Sequence, residues 1–203
     1  DYTSTTCPAG TYAETHADGI IAACHKVFIK GSDNWVQRKP SNTNAWGKRY
    51  EVSAAIVTMP SGNQALALVG GFAGTSTNRQ VFDVKLWLSE DAGSTWSSSD
   101  VPWTGRLGPG LLQLKSGTLL LLGGGEISST SDTNYPSDVW ASSSVGQSES
   151  WSLKTDSAPW TGRMGDVWIA LTDNSVLCVC GYKYGTGYFN DVWRSTDEGA
   201  TWI

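Results

Sequence analysis

Two stretches repeat the pattern S-x-D-x-G-x-T-W, from Ser89 to Trp96 and from Ser195 to Trp202. A carboxylate set between a hydroxyl and an indole can bind a cation or a sugar hydroxyl, or it can fix a turn. The spacing favours the turn. Asp91 and Asp197, third in each stretch, can accept hydrogen bonds from turn N–H groups. Gly93 and Gly199 can take positive φ, and Trp96 and Trp202 can cover the hairpin. A calcium loop needs several alternating oxygen ligands and a downstream Glu, and neither stretch supplies them. Ser89, Asp91, Gly93, Trp96, Ser195, Asp197, Gly199 and Trp202 therefore read as structural turn residues.

Other groups capable of chemistry are sparse. Arg49, Arg106 and Arg163 could cluster around a carboxylated sugar, but each follows a Trp by three residues. A residue repeated in that way reads as a fixing hydrogen bonder. Glu51, Asp166 and Asp173 are available carboxylates, yet glycoside hydrolysis needs two of them about 5–10 Å apart, and nothing in the sequence pairs them. His16 and His25 stand without a second metal-binding motif, and no G-x-S-x-G marks a nucleophile. No catalytic residue, metal or cofactor is expected. Tyr135, Tyr182 and Tyr184 lie in loops and can stack on sugars, or else pack the fold.

The four cysteines are Cys7, Cys24, Cys178 and Cys180. All are disulfide candidates. Cys178 and Cys180 share one face of an expected strand, with Cα atoms about 6.5 Å apart and side chains similarly directed, which suits a mutual bond poorly. Cys7 can pair with Cys24, closing a short loop worth on the order of 3 kcal/mol. Cys24 can instead pair with Cys180, which occupies a similar repeat position. The even count and the Cys-rich start point to an oxidising, extracellular or cell-surface setting. No N-glycosylation sequon adds support. The first residue is Asp1, so a leader removed or a longer parent is the expectation.

The totals limit the function classes. A net charge of −5 with scattered basic residues argues against nucleic-acid binding. The longest apolar run, near Thr118 to Leu122, is far short of the roughly 18 residues of a membrane span. Hydrophobic residues at 39% suffice for a core. Abundant Gly and Ser without long amphipathic runs indicate an all-β chain.

Eleven tryptophans need a positional explanation, and ten have one. Trp46, Trp103 and Trp160 are evenly spaced, each opening a unit; Trp35, Trp96, Trp151 and Trp202 close units. Only Trp168 stands outside the repeat. Each long unit contains two strand signals around a turn, a Gly-rich step, a polar loop, and a last pair of strands bracketed by tryptophans. Self-similarity at a period of roughly 50 residues, with four strands per unit, predicts a β-propeller of four-stranded antiparallel blades.

These residues resemble the kelch-type propeller repeat. Its Gly pair, aromatic and two tryptophans correspond to Gly70, Gly71, Phe82, Trp87 and Trp96; to Gly123, Gly124, Tyr135, Trp140 and Trp151; and to Gly181, Phe189, Trp193 and Trp202. Cys180 replaces the first Gly of the third unit. The S-x-D-x-G-x-T-W pattern is similar to the Asp-box of sialidase-type propellers, where it forms a peripheral hairpin. The early Arg-Ile-Pro motif of sialidases is absent. The expected domains are a Cys-containing segment 1–19 and propeller units over 20–203, with a partial unit at 20–35 and full ones at 46–96, 103–151 and 160–203. Counting the partial unit gives four blades; otherwise the chain is part of a larger propeller. A Cys24–Cys180 bond would lock a four-bladed ring.

The resemblance is informative for fold and poor for activity. The leading expectation is a non-enzymatic extracellular propeller for protein or glycan interaction, adhesion or filament assembly, with other subunits, further copies or glycans as partners. The alternative is a carbohydrate-active enzyme, sialidase-like or kelch-oxidase-like. Loops 72–81, 126–137 and 182–189 are the expected contact surfaces.

Overall fold

The computed structural model describes residues 49–75, 78–82, 84–127 and 133–203, together with two strands nearer the N-terminus. The chain divides into two units, residues 1–38 and 39–203, so residue 20, the expected start of the propeller units, lies inside the first. In that first unit, β1 (Thr11–Thr15) pairs antiparallel with β2 (Ile21–Lys26). Cys24 and His25 fall on β2, whose side chains are not described; Cys7, His16, Trp35 and Trp46 lie outside the described residues.

The second unit is all-β among its described residues, with one 3-10 turn at Ser148–Ser150. Its first sheet comprises β3 (Tyr50–Thr58), β4 (Gln64–Thr75), β5 (Asn78–Phe82), β6 (Lys85–Ser89) and β7 (Ser97–Asp100). The four-stranded path runs β3-β4-β6-β7, with β5 attached to β4. The second sheet uses β8 (Gly110–Gln113), β9 (Leu119–Leu122), a small hairpin of β10 (Glu126–Ile127) and β11 (Thr133–Asn134), then β12 (Val139–Ser142) and β13 (Trp151–Thr155). Its order is β13-β12-β9-β8. The third sheet repeats the plan with β14 (Val167–Ala170), β15 (Val176–Val179), the hairpin of β16 (Tyr182–Lys183) and β17 (Gly187–Tyr188), and β18 (Val192–Ser195). Three strands form that sheet in the order β14-β15-β18. Ile203 supplies the start of a fourth, exchanging two backbone hydrogen bonds with Arg194 at 2.8 and 2.9 Å.

Four-stranded antiparallel sheets are therefore present, as the repeat requires. The expected polar loops differ in detail: each folds back as a short hairpin beyond its sheet.

Period-two alternation stacks the sheets. Val57, Ala65, Ala67, Val69, Leu86 and Leu88 of the first sheet pack on Leu111, Leu119 and Leu121 of the second, with Trp103 and Trp151. Leu112, Leu114, Leu120, Leu122, Val139 and Ala141 of the second pack on Val176 and Cys178 of the third, with Trp160 and Trp202. Strand β9 is covered on both faces, so all four of its leucines are fully buried. Each contributes roughly 1.5–3 kcal/mol of burial. The tryptophans meet edge to face: Trp103 lies 4.5 Å from Trp151 and Trp160 lies 4.4 Å from Trp202, centroid to centroid. Trp168 joins the latter pair at 5.5 and 5.8 Å, so it fills a sheet interface although the repeat omits it.

Neighbouring sheets are also stitched through the backbone. Gly71 donates to the carbonyl of Arg106 at 2.9 Å and Gly124 donates to that of Arg163 at 3.1 Å. A Cβ on Gly70 would sit 2.5 Å from the Arg106 oxygen, and one on Gly124 2.9 Å from that of Leu107. The Gly pairs permit this backbone approach.

Candidate functional site

The Trp-x-x-Arg step places an arginine at one end of each sheet. Arg106 Nη1 and Nη2 donate to the two carboxylate oxygens of Asp138, both at 2.6 Å, and Nη1 also reaches the carbonyl of Gly123 at 2.9 Å. Asp138 in turn accepts from Trp140 Nε1 at 2.8 Å. Arg163 repeats the arrangement on Asp191, with Trp193 Nε1 donating to that carboxylate at 2.8 Å. Arg163 further donates to the carbonyls of Thr161 and Cys180 and lies 4.1 Å over the Phe189 ring. Both guanidiniums are buried, and their donors are directed into the sheet ends. Arg49 Nη1 donates to the Gly70 carbonyl at 3.1 Å. The bidentate pairs at Arg106 and Arg163 tie the opening of their units to the third strand. The aspartates are the residues that sequence reasoning missed. The signal was the Asp-Val-Trp triplet at 138–140 and again at 191–193.

Two residues after each arginine the chain turns through positive φ. Glu51 has φ 55°, Gly108 49° and Gly165 66°. Gly108 donates to the Glu51 carbonyl at 2.9 Å, and a Cβ on Gly108 would lie 3.8 Å from the Gly165 nitrogen. The three equivalent positions thus converge where the three sheets meet. Together with Met164 and Tyr182 they line a cavity of about 280 Å³ with mainly apolar walls. Glutamate occupies this left-handed conformation only at a cost on the order of 1 kcal/mol. Two of the three units use glycine there. The first unit instead places Glu51, an exposed residue, at the cavity.

Asp166 adjoins Gly165. Burial pushes its carboxyl up to about 6, against the opposing pull of its own backbone N–H, the Cys178 thiol and the charge of Arg163. Cys178 Sγ lies 3.6 Å from Asp166 Oδ2. Burial, reinforced by the Asp166 carboxylate, raises the Cys178 thiol well above its ordinary value, so it stays protonated and is a poor nucleophile.

The tyrosines separate into different roles. Tyr135 is buried; its hydroxyl accepts from the Tyr184 N–H at 3.3 Å. A Cβ on Gly162 would fall 1.7 Å from the Tyr135 carbonyl oxygen, so its backbone is tightly enclosed. Tyr182 is half-buried and lines the cavity. Its ring lies 5.1 Å from that of Tyr188. Tyr184 is 73% exposed and Tyr188 89%. The β16–β17 hairpin therefore brings Tyr182 to the cavity and sets beside it Tyr188, which the sequence reading did not select.

In the acidic turns, every named side chain is engaged. Asp91 Oδ1 accepts from the Thr95 N–H at 2.8 Å, and Asp91 Oδ2 from the Thr95 hydroxyl at 2.7 Å. Ser89 Oγ donates to Asp91 and accepts from the Gly93 N–H at 2.8 Å, while Trp96 Nε1 donates to the Gly93 carbonyl. Asp197 makes the same set with Thr201 and Ser195, and Ser195 with Gly199; Trp202 Nε1 reaches the Gly199 carbonyl at 3.0 Å. Thr95 holds the Asp91 carboxyl down to about 2.

The chain is similar in fold to a solved structure described as "Structure of YjhT". The TM-score is 0.56 at 16% identity, over 76% of this chain and 51% of that one. The chain thus spans about half the length of that neighbour, and the likeness is one of fold. No family model and no curated protein matches the chain.

The disulfide expectations require correction. Cys178 and Cys180 are free thiols, the first buried and the second exposed. Neither forms the disulfide considered for it, and the ring-locking Cys24–Cys180 bond is absent. Cys178 faces the interface between the second and third sheets, and Cys180 sits at φ 61°, the place of the first Gly in the pair. Of the carboxylates, Asp173 is exposed and bound to Arg194 at 2.8 Å. Among the described residues, no three His, Cys, Asp or Glu side chains stand together as a metal site.

Proposed function

We propose that this chain is an extracellular recognition module built as a β-propeller of kelch-type units with Asp-box hairpins, and that it binds a glycan without turning it over. One observation carries this reading: the convergence of Glu51, Gly108 and Gly165 on a cavity edged by Tyr182. Propeller sheets meet around a central axis, and on this reading the three equivalent positions lie beside it. Apolar walls, with the exposed Glu51 and tyrosines near them, suit a sugar. Rings can stack on its C–H faces and Glu51 can accept its hydroxyls. The hairpins around β5, β10–β11 and β16–β17 then form the rim that selects the ligand.

A second reading is a carbohydrate-active enzyme. It is favoured by Asp166, whose carboxyl near 6 suits a general acid. A glycan panel assayed for both binding and product tests the two. Binding without product supports recognition. Turnover by the purified chain refutes it in favour of the enzyme, and a panel with neither binding nor product refutes both.

A further inference from the structure

We infer that a cleft between the first and second sheets is a docking site for a glutamate side chain on an acidic peptide segment of a partner protein. The site is independent of the glycan reading, because it opens at the other end of β3. Glu51 is the second residue of that strand and Thr58 the last. The cleft holds about 390 Å³, within the range of small-ligand sites, and residues 58–60, 113–117 and 143–145 form its walls. These stretches are the turn after β3, the turn after β8 and the hairpin after β12.

The repeat builds this junction twice, and the second copy shows what fits. The turns are alike: the Met59 N–H donates to the Asn63 carbonyl, Leu114 to Thr118 and Leu171 to Ser175, each at 2.8 Å. Between the second and third sheets two side chains fill the space. Asn174, at φ 66°, accepts from the Ser116 N–H at 2.9 Å. Glu198, three residues beyond β18, accepts from the Ser116 and Thr118 hydroxyls at 3.2 and 3.0 Å and from the Lys154 ammonium at 3.3 Å. Between the first and second sheets, Gly117 stands in the place of Asn174, at φ 95° with nothing within 4 Å of an added Cβ. Val145, three residues beyond β12, stands in the place of Glu198 and is turned into the core. Gln113 still joins the sheets there, accepting from the Thr58 N–H at 2.6 Å and donating to its carbonyl at 3.0 Å. The space that a carboxylate fills at one junction is therefore open at the other.

The open copy keeps donors for such a group. Among the described residues Lys115 makes no ion pair, and the Ser143 and Ser144 hydroxyls make no hydrogen bond. No wall residue is acidic. Glu198, across Ser116, is balanced by Lys154. One ammonium with nearby hydroxyls is the kind of set that already holds Glu198, and a carboxylate entering the cleft gains charge-assisted hydrogen bonds from it. Met59, Pro60 and Val145 offer apolar surface to the methylenes. The group in the equivalent place is carried on a peptide turn by two methylenes, which favours a glutamate over an acidic sugar ring.

Nuclear magnetic resonance titration of the full chain tests this, with a blocked pentapeptide of residues 196–200 as the probe. The peptide should saturate with a Kd of about 1 mM or tighter, shifting the amides of Lys115, Gly117 and Ser144. Its Glu198→Gln form should bind at least tenfold more weakly. Lys115→Ala changes an exposed side chain and should weaken binding as much, with unchanged circular dichroism. Gly117→Asn, which restores the filling side chain of the other junction, should do the same. No shift at about 10 mM peptide, or shifts confined to other parts of the chain, would overturn the docking site. Equal binding by the Glu198→Gln peptide or by Lys115→Ala would remove the carboxylate and its ammonium from the account. Trigalacturonate is the second probe: if it saturates the cleft while the peptide does not, the peptide is refuted in favour of an acidic sugar.

Discussion

Arg163 and Arg106 place full charges in buried sites, and each depends on one aspartate. Removing a partner from a buried pair costs about 3–5 kcal/mol, since the other charge stays behind unpaired. Asp138→Asn should therefore lose about 3 kcal/mol in urea unfolding. Asp191→Asn should lose less, because Asp191 keeps more contact with water. The hydrogen bonds from Arg163 hold Asp191 down to about 2, so its contribution is present above about pH 4 and disappears as pH falls toward 2. Asp166 has the opposite sign. Its folded carboxyl titrates near 6, above the unfolded value, so its contribution is complete below about pH 4 and is lost as pH rises through 6. Asp166→Asn should flatten stability between pH 4 and 6 and raise it at pH 7, by up to about 2 kcal/mol. A thermal melt series across pH would show this. An unchanged slope would mean that Asp166 is not buried as described. Little of this residue chemistry was legible beforehand. The arginines were visible through their repetition, but their partners lie 32 and 28 residues away, and burial leaves no mark on a lone Asp in the sequence.

At the level of elements, legibility was much better, because period-two alternation and turn residues are local. The apolar run near Thr118 to Leu122 forms β9, whose four leucines are enclosed on both faces. The polar loops were harder to read. Two-residue strands such as β16 and β17 leave no alternation to detect, so the aromatic edge of Tyr182 and Tyr188 emerged only in three dimensions. The elements also have distinct weak points. Trp160→Ala would open a cavity where Trp160, Trp168 and Trp202 meet, with a loss of about 3–5 kcal/mol. Gly162→Ala has no room beside the Tyr135 carbonyl, and should displace the loop that carries Tyr135. Increased proteolysis near residue 135 would report that displacement, and wild-type resistance would argue against it.

For the whole molecule, the even register of the opening tryptophans made stacked sheets predictable, and the stack is present with Trp-rich contacts between its layers. The repeat also hid something. A column that holds Gly108 and Gly165 holds Glu51 in the remaining unit, and this exception was readable only once the column was known to line a cavity. A strained residue at a convergence point suggests stability given up for function. The most direct measurement compares wild type with Glu51→Gly for glycan binding and for unfolding free energy. The account predicts that the variant is more stable, by up to about 1 kcal/mol, and that its glycan binding falls at least tenfold. A variant that binds as tightly as the wild type would contradict the assignment of this cavity as the recognition site.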